Sequence, residues 1–307
     1  TGIHDVDGEP AFEAFQALHL ARRLDVRVTK YVRQETFDAV LGAGLRSGFG
    51  DDWLRFGGLK LFADGALGAR TAALFDPYEG EPDNTGVLTL SREQLRDLAN
   101  RAVEAHIAMA VHAIGDRTNR IVLDVLEEVA PRAPDLRHRI EHVQLIAPAD
   151  QPRLARLGIV AAMQPIHAAH DWQMSDRYWG ARSAHAYAWR SLLDEGTILA
   201  FGSDAPIEIF DPFAGLYAAV TRRAEDGSPG PEGWYPEQAL TLEEALHAYT
   251  WGAAYAVQME NRLGCLRPGY HADLLVLDRD IFALPPEALL ETNVQRAMVG
   301  GAWRYIA

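Results

Sequence analysis

The stretch LAFGSDAP (199–206) is a short apolar run that ends abruptly in the carboxylate of Asp204. Gly202 and Ser203 precede this acid, and Pro206 stops a strand from continuing because proline has no N–H to donate to a sheet. A buried strand that carries one acid at its C-terminal end is typical of a (β/α) barrel, where catalytic groups lie at the strand ends. The stretch therefore predicts a catalytic acid at the rim of a parallel sheet.

Three earlier stretches have the same form, a short apolar run that carries one chemically active residue. They are GLKLF (58–62), AMAVH (108–112) and RIEHV (139–143), with Lys60, His112 and His142 respectively. A single histidine at a strand end is more often structural, and a single acid there is also common in turns. Four strand ends of this kind are less easily explained by chance, so we expect the four side chains to converge at one rim.

Strand-like and helix-like segments alternate along most of the chain, which predicts an α/β fold with a parallel sheet. The expected strands start near Gly2, Val26, Leu59, Ile107, Arg139, Ile159 and Thr197. A TIM-type (β/α) barrel has about eight strands, so we predict an incomplete barrel with seven of them, the missing one preceding Thr1. The aromatic stretch 167–187 is interpreted as a loop, and 242–263 as helical.

The last segment has a different character. Residues 264–278 read as a turn followed by a strand, and residues 293–306 read as two short strands about a Gly-Gly turn. We predict two units: residues 1–263 form the barrel, without its first strand, and residues 264–307 form the C-terminal part of a small β-sandwich.

Composition limits the possible partners. The formal net charge of −14 argues against nucleic acid and anionic membranes, and leaves a small molecule as the expected substrate. The single cysteine, Cys265, allows no intrachain disulfide and fits a reducing compartment such as the cytoplasm. No apolar run approaches the length of a membrane-spanning helix, and no signal peptide is visible.

The four strand-end residues suit a divalent transition metal. Imidazole and carboxylate are zinc ligands, and bound metal lowers the pKa of water to about 7, which provides hydroxide at neutral pH. A free lysine ammonium is a poor ligand, but Lys60 carboxylated by CO₂ would be an anion able to bridge two ions. The alternative is that Lys60 forms an ion pair with Asp64 or Asp204.

Residues near the sixth predicted strand are the candidate substrate contacts. They are Gln164, His167, Trp172 and Trp179. His170 lies close by in the sequence, and the aromatic cluster is either a lid over an apolar substrate or loop packing. The long stretch 63–87, rich in Gly, Asp, Pro and Asn, is expected to be functional because loops of that length in compact domains usually are.

The sequence resembles the amidohydrolase superfamily, and within it the amidohydrolase-3 group that includes YtcJ-like proteins and N-substituted formamide deformylases. The matching stretches are GGLKLFADGALGARTA (57–72), AVHAIGDR (110–117), RIEHVQ (139–144), FGSDAPIE (201–208) and GCLRPGYHADLLVLD (264–278). The resemblance implies that Lys60 is the carboxylated ligand of the fourth barrel strand and that His112 and His142 are ligands of the fifth and sixth. Asp204 would be the ligand of the eighth strand and the proton shuttle, so that His142 and Asp204 are the catalytic pair.

The family resemblance also implies the reaction, which is hydrolysis of an amide, formamide or related non-peptide C–N bond by metal-bound hydroxide. The sequence departs from the family pattern at one important place. The family carries a His-x-His pair on its first barrel strand, but no His-x-His occurs here, and His4 stands alone in IHDV (3–6). We therefore expect a C-terminal portion of a longer protein. Two metal ions would require the missing pair, whereas one ion, zinc by preference, needs only the residues present. Open sheet edges would favour homo-oligomers.

Two other interpretations remain open. A degenerate barrel without the His-x-His pair would act as a non-catalytic scaffold or binding subunit. Alternatively, the same metal chemistry would act on an ester or a phosphoester. The sequence does not separate these readings from amide hydrolysis.

Overall fold

The computed structural model describes residues 1–307, and its largest element is a parallel sheet of seven strands that follow one another in chain order. The strands are β1 (Gly2–Asp5), β2 (Arg27–Arg33), β3 (Leu54–Phe62), β4 (Ala108–Ala113), β5 (Arg139–His142), β6 (Val160–Met163) and β7 (Leu199–Phe201). All seven predicted strands are present, and each pairs in parallel with the next. The predicted barrel with seven strands is confirmed.

The sheet is curled, and its two edge strands do not pair with each other. β1 pairs only with β2, and β7 pairs only with β6. Adjacent strands are about 4.8 Å apart, so β1 and β5 would be separated by roughly 19 Å in a flat sheet. Yet Nη1 of Arg139 on β5 lies 2.9 Å from Nδ1 of His4 on β1. The sheet must therefore bend round until these two side chains meet in its interior.

Helices connect the strands and cover the outer face of the sheet. They are α1 (Glu9–Leu20), α2 (Phe37–Gly42), α3 (Arg92–Glu104), α4 (Asp116–Val129), α5 (Gln151–Leu157), α6 (Pro165–Trp179), α7 (Trp189–Asp194), α8 (Pro212–Thr221), α9 (Leu242–His247) and α10 (Ala253–Tyr255). Short 3₁₀ helices occupy Gln34–Thr36, Ala130–Arg132, Pro148–Asp150, Gly180–His185, Pro236–Gln238 and Pro286–Glu291, and a π-helix spans Ala248–Gly252. One cluster of 57 buried apolar residues joins strands and helices into a single core.

Two helix boundaries differ from the sequence interpretation. The stretch 167–187, expected to be a loop, begins inside the 15-residue helix α6, which starts with Pro165 in its first turn. The helical stretch expected to reach residue 263 ends with α10 at Tyr255. Helix α3 begins with a capping box, in which the Ser91 and Gln94 side chains each bond to the backbone of the other.

The C-terminal segment forms a separate antiparallel sheet of three strands, β8 (Leu274–Leu277), β9 (Val294–Val299) and β10 (Ala302–Ile306), in the order β10-β9-β8. Gly300 and Gly301 make the turn between β9 and β10 with φ of 61° and 77°, a backbone conformation that glycine adopts without strain. The Gly-Gly turn is where the sequence predicts it.

No helix of the structure has the length and apolar character needed to cross a membrane.

Candidate active site

The register of β3 against β4 places Lys60 and His112 on one face of the sheet at two depths. Phe62 lies opposite His112 and Lys60 lies opposite Ala110. Since side chains alternate along a strand, Lys60 and His112 project to the same side, with Lys60 two residues deeper. Both are therefore interior residues, and His112 is nearer to the C-terminal rim.

His142 reaches the same rim through an unusual backbone. Glu141 lies opposite His112, so in a regular strand His142 would point to the other face. His142 and Val143 instead have φ of 76° and 44°, in the left-handed region that non-glycine residues rarely adopt. The His142 ring consequently packs edge-on against the His112 ring, with centroids 4.8 Å apart.

His112 is oriented by the segment that follows β3. Its Nε2 donates to the carbonyl oxygen of Gly65 at 2.9 Å and lies 3.5 Å from Oδ1 of Asp64. Asp64 is itself held by backbone N–H groups of Ala73, Ile114 and Gly115, at 2.9 to 3.0 Å. These contacts leave Nδ1 as the His112 nitrogen available to a ligand.

Asp204 follows β7 and has a left-handed backbone, with φ of 60°. Its Oδ2 lies 3.2 Å from Nε2 of His167, in the first turn of α6. The other ring nitrogen of His167 lies 3.4 Å from Oε1 of Glu208, and Glu208 also accepts a hydrogen bond from His170 at 2.8 Å. The acid at the end of β7 thus lies against an imidazole held from behind by a second carboxylate.

Three side chains bring their ligand atoms together. One ligand atom each from His142, His167 and Asp204 lies within 4.8 Å of the others. His112 adjoins this cluster through its contact with the His142 ring. The structure therefore places His112, His142 and Asp204 at one rim, joined by a third imidazole.

Burial and neighbouring charge favour neutral imidazoles at His112 and His142. Burial, followed by the charges of His112 and Lys60, holds the pKa of His142 well below its usual value. Burial and the Lys60 charge also lower the pKa of His112. Neutral imidazole is the form that binds metal ions. By contrast, burial alone would lower the pKa of His167, but its hydrogen bonds to Asp204 and Glu208 raise that pKa to about 9.

Lys60 is buried without a carboxylate partner. Asp64 pairs with His112 and Asp204 pairs with His167, so neither of the expected acids forms an ion pair with Lys60. Its ammonium lies over the Phe62 ring, 4.8 Å from the centroid. Burial lowers the pKa of Lys60 to about 8, against the opposing charge of Glu141.

The four candidate substrate contacts divide into two groups. Gln164 accepts a hydrogen bond from Nδ1 of His142 at 2.8 Å, and His167 contacts Asp204, so both lie at the rim. Trp172 is partly buried against the core, and Trp179 has no exposed surface. Trp179 therefore packs in the interior, and its contact with a substrate stays a prediction.

Two residues have roles in the site that the sequence did not predict, although Asp64 was considered as an ion-pair partner of Lys60. Asp64 lies in the quoted stretch 57–72 but looks like an ordinary loop acid, because its three backbone donors come from distant segments. Glu208 lies four residues beyond Asp204, and only the fold brings it to His167. Neither has a local spacing signal that sequence reasoning could use.

The donor set fits a divalent transition metal better than an alkaline-earth ion. The candidate donors at the rim are the imidazole nitrogens of His112, His142 and His167 and the carboxylate of Asp204. Magnesium and calcium prefer oxygen donors, whereas zinc and its neighbours accept imidazole readily.

Comparison with known proteins is consistent with this chemistry. The sequence matches the Amidohydrolase family over residues 1–305. It is 37% identical over 251 residues to the putative amidohydrolase YtcJ of Bacillus subtilis, covering 81% of this chain and 47% of YtcJ. It is 32% identical over 256 residues to the N-substituted formamide deformylase of Arthrobacter pascens, covering 82% of this chain and 46% of that enzyme.

A solved structure supports the fold over most of the chain. An uncharacterized metal-dependent hydrolase from Pyrococcus horikoshii OT3 superposes with a TM-score of 0.83 at 33% identity, covering 93% of this chain and 57% of that one. The chain spans about half the length of the curated relatives it matches.

Proposed function

Because this chain belongs to the Amidohydrolase family, we propose that it carries the centre of a metal-dependent hydrolase that cleaves a non-peptide C–N bond of an amide or formamide. The observation that carries the proposal is the meeting of His142 and Asp204, from the ends of different strands, with donor atoms within 4.8 Å in a cluster that His112 adjoins. Parallel barrels assemble active sites at this end of their strands.

We propose Lys60, His112, His142 and Asp204 as the metal ligands, with Lys60 carboxylated and zinc as the metal. The burial of Lys60 without a carboxylate partner supports this role, since a carboxylated side chain would satisfy a position that the protein leaves unpaired. When bound, the metal supplies Lewis acidity that lowers the pKa of water and polarises the substrate carbonyl.

The chain's own residues would position the reactants and move the proton. Asp204 is the only carboxylate of the rim cluster, and it would accept a proton from the attacking water and deliver it to the leaving nitrogen. Gln164 fixes the His142 ring by accepting from Nδ1, which directs Nε2 into the site.

We propose that the two predicted units have different roles. Residues 1–263 would carry the chemistry, and residues 264–307 would support the sheet from outside the site. A small molecule is the proposed substrate, and the cytoplasm is the proposed compartment, in keeping with the single cysteine.

The test replaces Asp204 by asparagine in the protein and measures turnover together with metal content. We expect Asp204→Asn to lose about 10²–10⁴-fold in kcat because amide nitrogen cannot carry the proton. Asp97→Asn, an exposed acid on α3, is the matched control and should retain full activity. Full activity of Asp204→Asn would overturn its assignment.

A substrate panel separates amide hydrolysis from the other readings. Formamides and N-acyl amines should be turned over faster than aryl esters and phosphoesters. Faster turnover of the esters would replace the C–N assignment. No turnover of any class by the metal-loaded protein would support a non-catalytic scaffold instead.

A further inference from the structure

His167 lies beside Asp204 and His142, a position that the sequence alone does not indicate. It lies in the first turn of α6, is 6% exposed, and brings Nε2 to 3.2 Å from Oδ2 of Asp204. Its ring centroid is 5.8 Å from that of His142. His142, His167 and Asp204 form the one group of three or more metal-ligating side chains whose donor atoms lie close together in the molecule. Neither Lys60 nor His112 belongs to that group.

The second nitrogen of each ring in this group already has an acceptor. Nδ1 of His142 donates to Gln164 Oε1 at 2.8 Å, and Nδ1 of His167 lies 3.4 Å from Glu208 Oε1. Imidazoles that bind metal ions almost always engage the other ring nitrogen in this way, which fixes the ring and its tautomer. Both rings are therefore restrained beside Asp204, where Nε2 of His167 is hydrogen-bonded to Oδ2 of Asp204 and would exchange its proton for a metal ion.

Glu208 is itself restrained by hydrogen bonds near the protein surface. Its second oxygen accepts from Nδ1 of His170 at 2.8 Å, and Nε2 of His170 lies 3.2 Å from Glu225. Alternating acids and imidazoles thus run from Asp204 outward to Glu225. This arrangement restrains Glu208, and Glu208 in turn restrains the His167 ring.

We propose that His167 is a direct metal ligand in addition to the residues proposed above, so that His142, His167 and Asp204 all bind the same divalent transition ion, and that Glu208 is the residue that positions His167. A tetrahedral ion with ligands at 2.0–2.1 Å separates neighbouring donors by about 3.3 Å. The 3.2 Å between His167 and Asp204 already matches that spacing. Two imidazoles and one carboxylate suit zinc or cobalt rather than magnesium.

This inference rests on the proposed function, since both place a metal ion beside Asp204. Its test measures binding of the metal alone, and turnover is measured separately on the substrate panel. Normal metal binding without turnover would reject the hydrolase proposal and keep the ligand assignment. Normal turnover by a protein in which His167 does not bind the metal would reject the ligand assignment and keep the hydrolase proposal.

The experiment titrates the metal-stripped chain with Co²⁺, following heat by calorimetry and ligand geometry by visible absorption. We expect His167→Ala to weaken Co²⁺ binding about 100-fold and to alter the Co²⁺ spectrum. Glu208→Gln should weaken it about 10-fold with a smaller spectral change, as loss of an outer partner does. His106→Ala is the control, because His106 is a partly exposed imidazole that contacts Asp135 at 2.7 Å and precedes β4, at the end of that strand opposite His112.

His167→Gln provides a second variant that keeps a hydrogen-bonding group next to Asp204, in case the alanine variant does not fold. Circular dichroism of each metal-free variant verifies folding. Wild-type affinity and an unchanged Co²⁺ spectrum in a folded His167 variant would overturn the proposal, as would failure of the wild-type chain to bind Co²⁺.

Discussion

Asp64 shows how a single buried residue holds the rim of the sheet together. Its carboxylate has no exposed surface and accepts three backbone hydrogen bonds, from Ala73, Ile114 and Gly115. A Cβ on Gly115 would lie 2.0 Å from the carbonyl oxygen of Ala73, so the two segments are in close contact at this point. Asp64 thus anchors the loop after β3 to the turn after β4, next to His112.

We predict that Asp64→Ala destabilises the chain by about 3 kcal/mol, because each of the three orphaned N–H groups costs roughly 1 kcal/mol or more when buried. The free energy of unfolding in urea measures the loss. Asp83→Ala, which removes an exposed acid from the same loop, is the matched control and should change stability by under about 0.5 kcal/mol. Equal midpoints for the two variants would contradict the anchoring role.

The residue types of the site follow from the sequence, but their orientation does not. Lys60, His112 and Asp204 stand at strand ends in the sequence, and the register accounts for the depth of Lys60. The left-handed backbone at His142 and Asp204 is what turns these two side chains into the rim. Backbone strain of this kind costs of order 1–3 kcal/mol, and contacts from the surrounding structure offset that cost. Since those contacts come from elsewhere in the fold, no local sequence pattern indicates the left-handed conformation.

At the scale of elements, strands were easier to predict than the helix that follows β6. The strands are short apolar runs bounded by turn residues, and their length and flanking residues favour strand over helix. Helix α6 carries polar and aromatic residues with weak periodicity, which obscured it. Pro165 in its first turn was the available signal, since proline favours the first position of a helix.

The C-terminal sheet is joined to the barrel by a buried ion pair. Arg27 on β2 makes two hydrogen bonds to Asp273, at 2.6 and 2.9 Å, and both side chains are 8% exposed. Asp273 also accepts from the backbone of Gly300 in the β9–β10 turn. Burial by itself would raise the pKa of Asp273, but the hydrogen bonds from Arg27 and Gly300 bring the pKa below its usual value.

The ion pair between Arg27 and Asp273 predicts that the free energy of unfolding depends on pH. Because the folded-state pKa of Asp273 is depressed, its contribution is complete above the unfolded value of about 3.9 and is lost as the pH falls through the folded pKa. We expect Asp273→Asn to cost about 3 kcal/mol at pH 7, by leaving Arg27 buried without its partner. In urea titrations, the difference between variant and wild type should shrink towards zero as the pH falls through the depressed folded-state pKa of Asp273.

The control for this prediction is Asp25→Asn. Asp25 also pairs with an arginine of the C-terminal sheet, Arg304 at 3.1 Å, but it is 65% exposed. An exposed pair contributes about 0–1 kcal/mol, so this variant should stay close to wild type at every pH. A cost for Asp273→Asn that does not change with pH would show that the charge of the pair is not what joins the two sheets.

At the scale of the whole molecule, the parallel sheet has two edges without partners, β1 and β7. An exposed edge offers unpaired N–H and C=O groups to another chain. Ile3 on β1 adds an exposed apolar side chain to that edge. Within residues 1–307, β1 therefore offers an edge that can pair with another strand.

We expect the wild-type chain to self-associate and Ile3→Glu to weaken that association about tenfold, because like charges would face each other across the new pair. Leu20→Glu makes the same change on α1, at a side chain that is 84% exposed and away from the edge. Sedimentation equilibrium compares the three proteins. Equal association by all of them would exclude the edge as the contact.

Metal binding should stabilise the whole fold, since the donors come from strands and helices distant in sequence. With Zn²⁺ at about 100 times its dissociation constant, the gain is about 2.7 kcal/mol, which corresponds to a rise of several degrees in Tm. Mg²⁺ at the same concentration should have little effect because the site offers imidazole nitrogen. Calorimetry of wild type and His142→Ala tests this, and an equal Zn²⁺ effect in both would locate the ion elsewhere.

Strand ends far apart in the sequence are proposed to build one metal centre at the rim of the sheet. The most direct measurement is an anomalous difference map from a crystal of the chain soaked with Zn²⁺, recorded at the zinc edge. We expect a strong peak about 2.0–2.2 Å from donor atoms of both His142 and Asp204. A map in which zinc is bound only by other side chains, with none at this rim, would contradict it.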